Sequence, residues 1–297
     1  MLSILFFLVL TFFMLTKPEI SLYYAFHGLT LWYSKMVPTL LPFMILSGTI
    51  IRMGLTRALS GIFHPLFRCI FRCRPEVSYG ILMGFLCGFP MGAKTATDLL
   101  TAGEIDMAEA EFLLSFCNNI GPIYFCSFII PMLQLQQPIY AIVGMYGIPF
   151  FYGIILRYTY YKGVLSSNKS DNQHRIRQSA SLLTSLDDSI RAGINSITVL
   201  CGYMVIFNLL NILPHIFWPN ALKYIAPFLE ITGGIGIIRK DSPMYILILL
   251  PFGGLSCIAQ TNSMIKDANI SLKKYIQHKI LLTAITAGYY FCINSLL

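Results

Sequence analysis

The stretch YGILMGFLCGFPMGAKTATDLL, Tyr79–Leu100, begins apolar and becomes polar just after Pro90. Its glycines recur at every fourth position: Gly80, Gly84, Gly88 and Gly92. On a helix they would form one smooth ridge, against which another backbone can pack closely. Pro90 has no backbone N–H, so it interrupts helical hydrogen bonding where the polar residues begin. The stretch therefore predicts a helix that is broken near Gly88–Gly92.

The same letters invite comparison with a nucleotide phosphate loop, but the chemistry differs. That loop has the pattern G-x-x-x-x-G-K-[ST], in which glycine directly precedes lysine and successive N–H groups wrap the phosphates. Here Ala93 separates Gly92 from Lys94, and Pro90 offers no N–H. A broken membrane helix is the better interpretation, and its freed backbone groups must be buried in protein or line a wet cavity.

The composition predicts a polytopic membrane protein. The chain has 297 residues, of which 56% are hydrophobic and 11% charged, whereas a soluble domain carries roughly 25% charged residues. Its mean hydropathy is +0.68. Runs such as LSILFFLVLTFFML and YAIVGMYGIPFFYGIIL approach the length that crosses a lipid bilayer, and they lack the alternation of barrel strands. We expect an all-α integral protein of the bacterial cell membrane.

The net charge of +8 indicates orientation in the bilayer rather than a nucleic-acid partner, because cytoplasmic loops of membrane proteins are rich in lysine and arginine. The arginine-rich run 52–74 and the polar linker 162–185 are predicted to share the cytoplasmic side. For the arginine-rich run, a vestibule for anionic lipid or substrate is the alternative. The same scheme leaves Lys273 and Lys274 outside, against the rule.

Four segments are predicted along the chain. Residues 1–36 are expected to form an N-terminal transmembrane helix and an interfacial aromatic segment. Residues 37–161 and 186–297 are expected to form two repeats, joined by the linker 162–185. A capping box of Asp106 and Glu109 predicts a helix start, and that helix is expected to reach Met132 with a kink at Pro122.

The two repeats are predicted from a shared order of features. At an offset of 165 residues, Gly88 matches Gly253 and Asp106 matches Ser271. Each half has an apolar span, an aromatic segment, a glycine-broken run and a capped helix, and the topology places the halves in opposite orientations. We therefore expect a second break near Gly253–Ser256. Paired interrupted segments in two halves are typical of a transporter site.

Several motifs carry a family resemblance, in the order VPTLLPFMILSG, MGFLCGFPMGAK, FCNNIGP, LEITGGI and PFGGLSCIAQ. Together they resemble the nucleoside-recognition, or Gate-domain, membrane proteins, and among these the YlbJ-like sporulation integral membrane proteins. The resemblance covers roughly residues 37–284. It implies two Gate-type repeats related to those of concentrative nucleoside carriers and the ferrous-iron permease. It also implies a role in endospore formation in a membrane of the sporulating cell, with movement of a small solute such as dipicolinate.

A solute site is predicted where the two glycine-broken runs meet. Close backbone approach is expected at Gly88, Pro90, Gly92, Gly253 and Gly254, and polar contacts at Lys94, Thr95, Asn118, Asn119, Ser256, Gln260 and Asn262. Lys94 would suit an anionic solute, but it could also snorkel to the interface or pair with Asp98. Asn118 and Asn119 could instead join helices through hydrogen bonds. Glu230 is either an intramembrane carboxylate with a coupling role or an interfacial acid.

The leading functional hypothesis is a carrier or permease for a small, anionic solute. A non-transporting assembly factor of sporulation and a nucleoside carrier are the alternatives. An enzyme is not expected, because the chain has neither a zinc-protease motif nor a nucleophile elbow and its five histidines are scattered. No cofactor or metal is predicted, and the sequence leaves a homo-oligomer open.

Overall fold

The computed structural model describes residues 2–163, 181–238 and 243–293, and within these ranges it is helical with no β-strand. The first half contains α1 Leu2–Thr16, α2 Pro18–Arg52, α3 Thr56–Ser60, α4 His64–Phe71, α5 Pro75–Cys87, α6 Met91–Thr101, α7 Met107–Phe116, α8 Pro122–Leu133 and α9 Pro138–Tyr158. The second half contains α10 Leu182–Leu209, α11 Ile212–Phe217, α12 Leu222–Leu229, α13 Ile231–Ile238, α14 Pro243–Leu249, α15 Gly254–Ile265 and α16 Leu272–Cys292.

Four stretches within the described ranges are helical, long and apolar enough to cross a membrane: Pro18–Arg52, Pro138–Tyr158, Leu182–Phe217 and Pro243–Ala268. The expectation of an all-α polytopic membrane protein is thereby confirmed. The predicted central linker lies largely outside the described residues, since 164–180 are not among them.

Helix α2 corrects the prediction for the N-terminal region. Its 35 residues run without a break through the segment expected to lie in the interface and through the boundary expected after Met36. A π-helical turn, Trp32–Met36, stands just before Pro38. Such a wide turn reduces the clash between a proline ring and the preceding carbonyls, so the helix tolerates proline. The turns before Pro131 and Pro149 have the same form.

The long helices α2 and α10 pack against each other in opposite directions. Gly28 lies against the backbone of Met204, whereas Gly48, further along α2, lies against Ser189. Trp32 Nε1 donates a hydrogen bond to the Ile197 carbonyl at 2.7 Å. The absence of a side chain at Gly28 permits this close approach.

The opening stretch forms a re-entrant hairpin, as the glycines and Pro90 predicted. Helix α5 ends at Cys87, the Phe89–Pro90 peptide bond is cis, and α6 begins at Met91. The chain then returns to its starting end, where Thr56 donates a hydrogen bond to Glu104 at 2.7 Å. We call this the arginine end, because it carries the run 52–74.

The glycine ridge of this hairpin packs on α7, in agreement with its predicted role. A Cβ on Gly80 would meet the Leu113 side chain, and one on Gly84 would come within 2.7 Å of the Cys117 Cβ. The capping box of Asp106 and Glu109 is also confirmed, since the Glu109 N–H donates to the Asp106 carboxylate at 2.9 Å and the Asp106 N–H to Glu109.

A second re-entrant hairpin, α12–α13, was not predicted, because the region had been interpreted only as mixed and aromatic. It turns at Glu230 and folds back tightly, with Gly234 against the backbone of Pro227. Ile237, near its end, packs with Leu209 and Tyr24 at the end of the bundle opposite the arginine end. The two hairpins therefore enter the bundle from opposite ends.

Two further helices are broken but continue across the bundle. The first is α7–α8, which is interrupted at Cys117–Gly121 rather than kinked at Pro122 as expected. The second is α14–α15, which is interrupted at Leu250–Gly253, slightly before the predicted position, so Ser256 lies inside α15. Together with its break, the stretch Pro243–Ala268 is long and apolar enough to cross a membrane.

The predicted repeat register is wrong, although the halves do have opposite directions. Lys274 contacts Glu111 at 2.7 Å and Lys279 contacts Asn118, so α16 runs parallel to α7. An inverted pairing of Asp106 with Ser271 would make these helices antiparallel. Instead, each half consists of a long helix, a hairpin, a broken crossing helix and a final helix.

This arrangement also removes the exception to the charge rule. Because α14–α15 crosses the bundle, the start of α16 lies at the arginine end, where Lys274 pairs with Glu111. Ser271 caps this helix by accepting a hydrogen bond from the Lys274 N–H, as predicted. Lys273 and Lys274 therefore share a side with the arginine-rich run.

Candidate functional site

Four interruptions of the backbone meet inside the bundle. Break 1 is Gly88–Pro90 at the tip of the first hairpin, and break 2 is Cys117–Gly121. Break 3 is Glu230 at the tip of the second hairpin, and break 4 is Leu250–Gly253. Each break leaves backbone N–H and C=O groups outside regular helix, and these need partners inside the protein.

Breaks 1 and 2 cross each other directly. The Phe89 N–H donates to the Asn119 carbonyl at 2.5 Å. Gly88 has a φ of +76°, and a Cβ there would come within 2.7 Å of the Gly121 Cα and the Asn119 oxygen. Glycine is therefore required at position 88 both by the left-handed conformation and by the close backbone.

Break 4 contacts both hairpin tips. The Phe89 ring lies 3.2 Å from the position that a Cβ on Gly253 would occupy. Gly254 faces the carbonyls of Pro227 and Phe228, at 3.1 and 3.2 Å from its Cβ position. Both glycines have φ of +80°, and neighbouring atoms lie close to both Cβ positions.

Asn118 joins three helices around break 2 and is 1% exposed. Its Oδ1 accepts from the Ala93 N–H at 3.3 Å, at the start of α6. Its Nδ2 donates to Thr261 Oγ1 at 3.1 Å and to Tyr275 Oη at 3.0 Å. Asn118 thus makes the helix-to-helix hydrogen bonds that were the alternative for this residue, and it holds α6, α15 and α16 together.

Lys279 is the central residue that sequence reasoning missed. Its side chain comes from α16 and is 2% exposed. The ammonium donates to the Asn118 carbonyl, to Asn119 Oδ1 at 3.1 Å and to the Pro251 carbonyl at 3.1 Å. It therefore bridges breaks 2 and 4. A lysine within an apolar span was the available signal, because intramembrane charge marks functional sites.

Glu230 occupies break 3 and is 1% exposed, so it lies inside the protein rather than at an interface. Its carboxylate accepts from the Thr232 N–H at 3.0 Å, the Gly233 N–H at 2.6 Å and Asn208 Nδ2 at 3.1 Å. Two of these donors belong to the first turn of α13, whose positive dipole end stabilises the negative charge.

Gly92 also packs on break 2, since its Cβ position lies 3.2 Å from the Asn118 Cα. Other predicted residues have different partners. Lys94 pairs with Asp98 at 3.1 Å, which is the third of its predicted roles. Thr95 is fully buried, and its hydroxyl has no partner among the described residues. Gln260 Nε2 donates to Ser256 Oγ at 2.9 Å, and Asn262 is half-buried.

A cavity of about 50 Å³ lies beside the crossing. Its wall combines break residues with one face of α2: Met36, Thr39, Leu40, Phe43, Leu86, Cys87, Phe89, Ile120, Gly121, Ile123, Tyr124, Ile231 and Thr232. None of the predicted site residues lines this cavity, to which breaks 1 and 2 contribute Phe89, Ile120 and Gly121. Tyr124 places a buried hydroxyl here that has no hydrogen-bond partner among the described residues, although Thr232 is near.

These features define a class: an all-α polytopic membrane protein in which two re-entrant hairpins, the broken helix α7–α8 and one face of α2 line a small cavity. A curated protein, sporulation integral membrane protein YlbJ of Bacillus subtilis strain 168, is 24% identical to the chain over 335 residues. The match covers 93% of this chain and 78% of that relative. The chain is therefore similar to this protein along most of its length, and it is an integral membrane protein. No family model matches it. No solved structure matches it.

Proposed function

We propose that the chain is a carrier for a small solute that binds in the cavity beside breaks 1, 2 and 3. The observation that carries the proposal is the convergence of break 1, break 2 and the start of α13 on one cavity. Carriers place substrate where interrupted helices expose polar backbone near the middle of the bilayer. The opposite directions of the two halves support alternating access, since related hairpins could open the cavity to one side at a time.

The solute class follows from chemistry and from the relative together. Aromatic and aliphatic side chains line most of the cavity, and hydroxyls of Thr39, Tyr124 and Thr232 add hydrogen-bonding groups. A small aromatic carboxylate matches such a wall, and the start of α8 favours a negative group nearby. Because the relative is a sporulation protein, we propose dipicolinate as the first solute and a sporulating-cell membrane as the setting.

The test blocks the cavity without disturbing the crossing. Thr39→Trp should fill the cavity, whereas Thr30→Trp changes the same residue type on the same helix outside the cavity wall. In proteoliposomes, we expect Thr39→Trp to reduce dipicolinate uptake at least about tenfold, while Thr30→Trp transports like wild type. Both variants should keep the wild-type melting temperature.

Parallel uptake of uridine separates the nucleoside-carrier alternative, which would require uridine to be the preferred solute. Equal uptake by Thr39→Trp and wild type would contradict the position of the site. No uptake of either solute above protein-free liposomes would favour a non-transporting assembly factor.

A further inference from the structure

The Lys279 ammonium is surrounded by neutral oxygen atoms, as a bound metal ion is, rather than by a carboxylate, as a lysine in an ion pair is. We propose that its ammonium is a tethered replacement for a monovalent cation, and that the oxygens around it form a site for K⁺ or free ammonium when the side chain is removed. Calling this the coupling cation rests on the proposed carrier function; the site itself is defined by the contacts alone.

The oxygens come from backbone that the breaks release. Asn118 and Pro251 contribute carbonyls, and Asn119 contributes its side-chain Oδ1. Within a helix the Asn118 carbonyl would accept from the residue four positions on, but that residue is Pro122, which has no N–H. Unwound carbonyls at the ends of half-helices are the groups with which carriers coordinate cations.

The charge of Lys279 is balanced without an acid. Among the described residues no carboxylate lies within ion-pair distance of its nitrogen, whereas Lys94 and Lys274 pair with Asp98 and Glu111. The carbonyl ends of α7 and α14 point at the ammonium with their negative dipole ends. The rings of Phe89 and Tyr275 lie 5.8 and 5.7 Å from it, within the range of cation–π attraction.

The dimensions select the cation. The distances from the nitrogen to Asn119 Oδ1 and to the Pro251 carbonyl are both 3.1 Å, which suit an ammonium ion. Of Na⁺ and K⁺, K⁺ is the closer to ammonium in size, and protein carbonyls can replace its hydration shell. With lysine in place, transport by the wild type should not require a K⁺ gradient.

The experiment measures thermal unfolding of the purified full-length protein in detergent. Lys279→Ala is compared with Lys273→Ala, which removes an exposed lysine from the same helix. Each is heated in KCl, in NH₄Cl and in N-methyl-D-glucamine chloride at equal ionic strength. We expect K⁺ and ammonium to raise the midpoint of Lys279→Ala by about 2–4 °C over the large organic cation. Wild type and Lys273→Ala should show no such difference.

A folded Lys279→Ala protein whose midpoint is the same in all three salts would overturn the proposal. If that variant does not fold, the double variant Lys279→Ala/Asn119→Asp is tested. Its new carboxylate is a stronger ligand for a cation at the site, so this variant should fold in KCl or NH₄Cl. Failure of both variants in every salt would also overturn it, since a bound cation should substitute for the ammonium. This experiment measures stability, so its result does not depend on solute transport. Flux assays that contradict the carrier proposal would leave the cation site supported, and equal midpoints in the three salts would leave the carrier proposal untouched.

Discussion

Gly88 carries the most stringent requirement of any residue in the crossing. Its φ of +76° is left-handed and its Cβ position is filled by the Gly121 and Asn119 backbones. Gly103 has a similar φ of +74°, but nothing lies within 4 Å of its Cβ position. Gly103 is therefore a control that has a positive φ but no clash.

We predict that Gly88→Ala lowers the free energy of unfolding by about 3 kcal/mol or prevents folding, because left-handed strain of about 1–2 kcal/mol adds to overpacking of similar size. Gly103→Ala should cost only about 1–2 kcal/mol. Denaturant unfolding in detergent measures both. Equal effects would show that breaks 1 and 2 do not cross closely.

Tyr124 offers a residue-scale test of the cavity. Its buried hydroxyl has no partner among the described residues, so Tyr124→Phe removes an unsatisfied group and should leave the melting temperature unchanged or slightly higher. If the solute is the missing partner, KM for uptake should rise about fivefold to tenfold. A fall in stability with an unchanged KM would contradict this assignment.

The Lys94 side chain is held by an ion pair with Asp98 rather than by contact with a solute. Its side chain is 12% exposed and that of Asp98 is 29% exposed, so breaking the pair leaves a poorly solvated charge. We expect Lys94→Met to lower the free energy of unfolding by about 1 kcal/mol and Asp98→Asn in the same chain to restore part of it. If the stability losses of the two single variants simply add in the double variant, the ion pair does not contribute to stability and this prediction is contradicted. We also expect Lys94→Met to transport solute at the wild-type rate.

At the scale of elements, local chemistry predicted more than long-range contact. The break at Pro90 and the caps at Asp106 and Ser271 depend on neighbouring residues, so the sequence shows them directly. The hairpin at Glu230 has no proline at its tip to mark it in the sequence. Three hydrogen bonds to the Glu230 carboxylate hold this turn instead. Asn118, a partner of Lys279, lies 161 residues away in sequence, so no local pattern could reveal that contact.

The antiparallel packing of α2 and α10 can be tested by cross-linking. The Cβ position of Gly48 lies 3.3 Å from the Ser189 Cβ, close to the separation of about 3.5–4.5 Å found in disulfides. In a cysteine-free background, Gly48→Cys/Ser189→Cys should cross-link on oxidation, giving a mobility shift on reducing against non-reducing gels. Gly48→Cys/Ser196→Cys, about two turns further along α10, should not; a cross-link there instead would contradict the register.

For the whole molecule, opposite chain directions in the two halves explain both the meeting of the breaks and the charge distribution. One hairpin enters from the arginine end and the other from the opposite end, so their tips meet inside the bundle. The two halves run in opposite directions, as predicted, but the register between them differs from the prediction. In the order of elements, hairpin α5–α6 has the same place as α12–α13, not as α14–α15.

The central claim is that this arrangement carries a solute across the bilayer, and counterflow tests it most directly. Proteoliposomes containing the wild-type protein are preloaded with unlabelled dipicolinate and diluted into a trace of the labelled compound. A carrier predicts transient accumulation of label well above that in liposomes loaded with buffer alone, because exchange uses the same site from both sides. Identical label uptake in preloaded and buffer-loaded proteoliposomes would contradict the account.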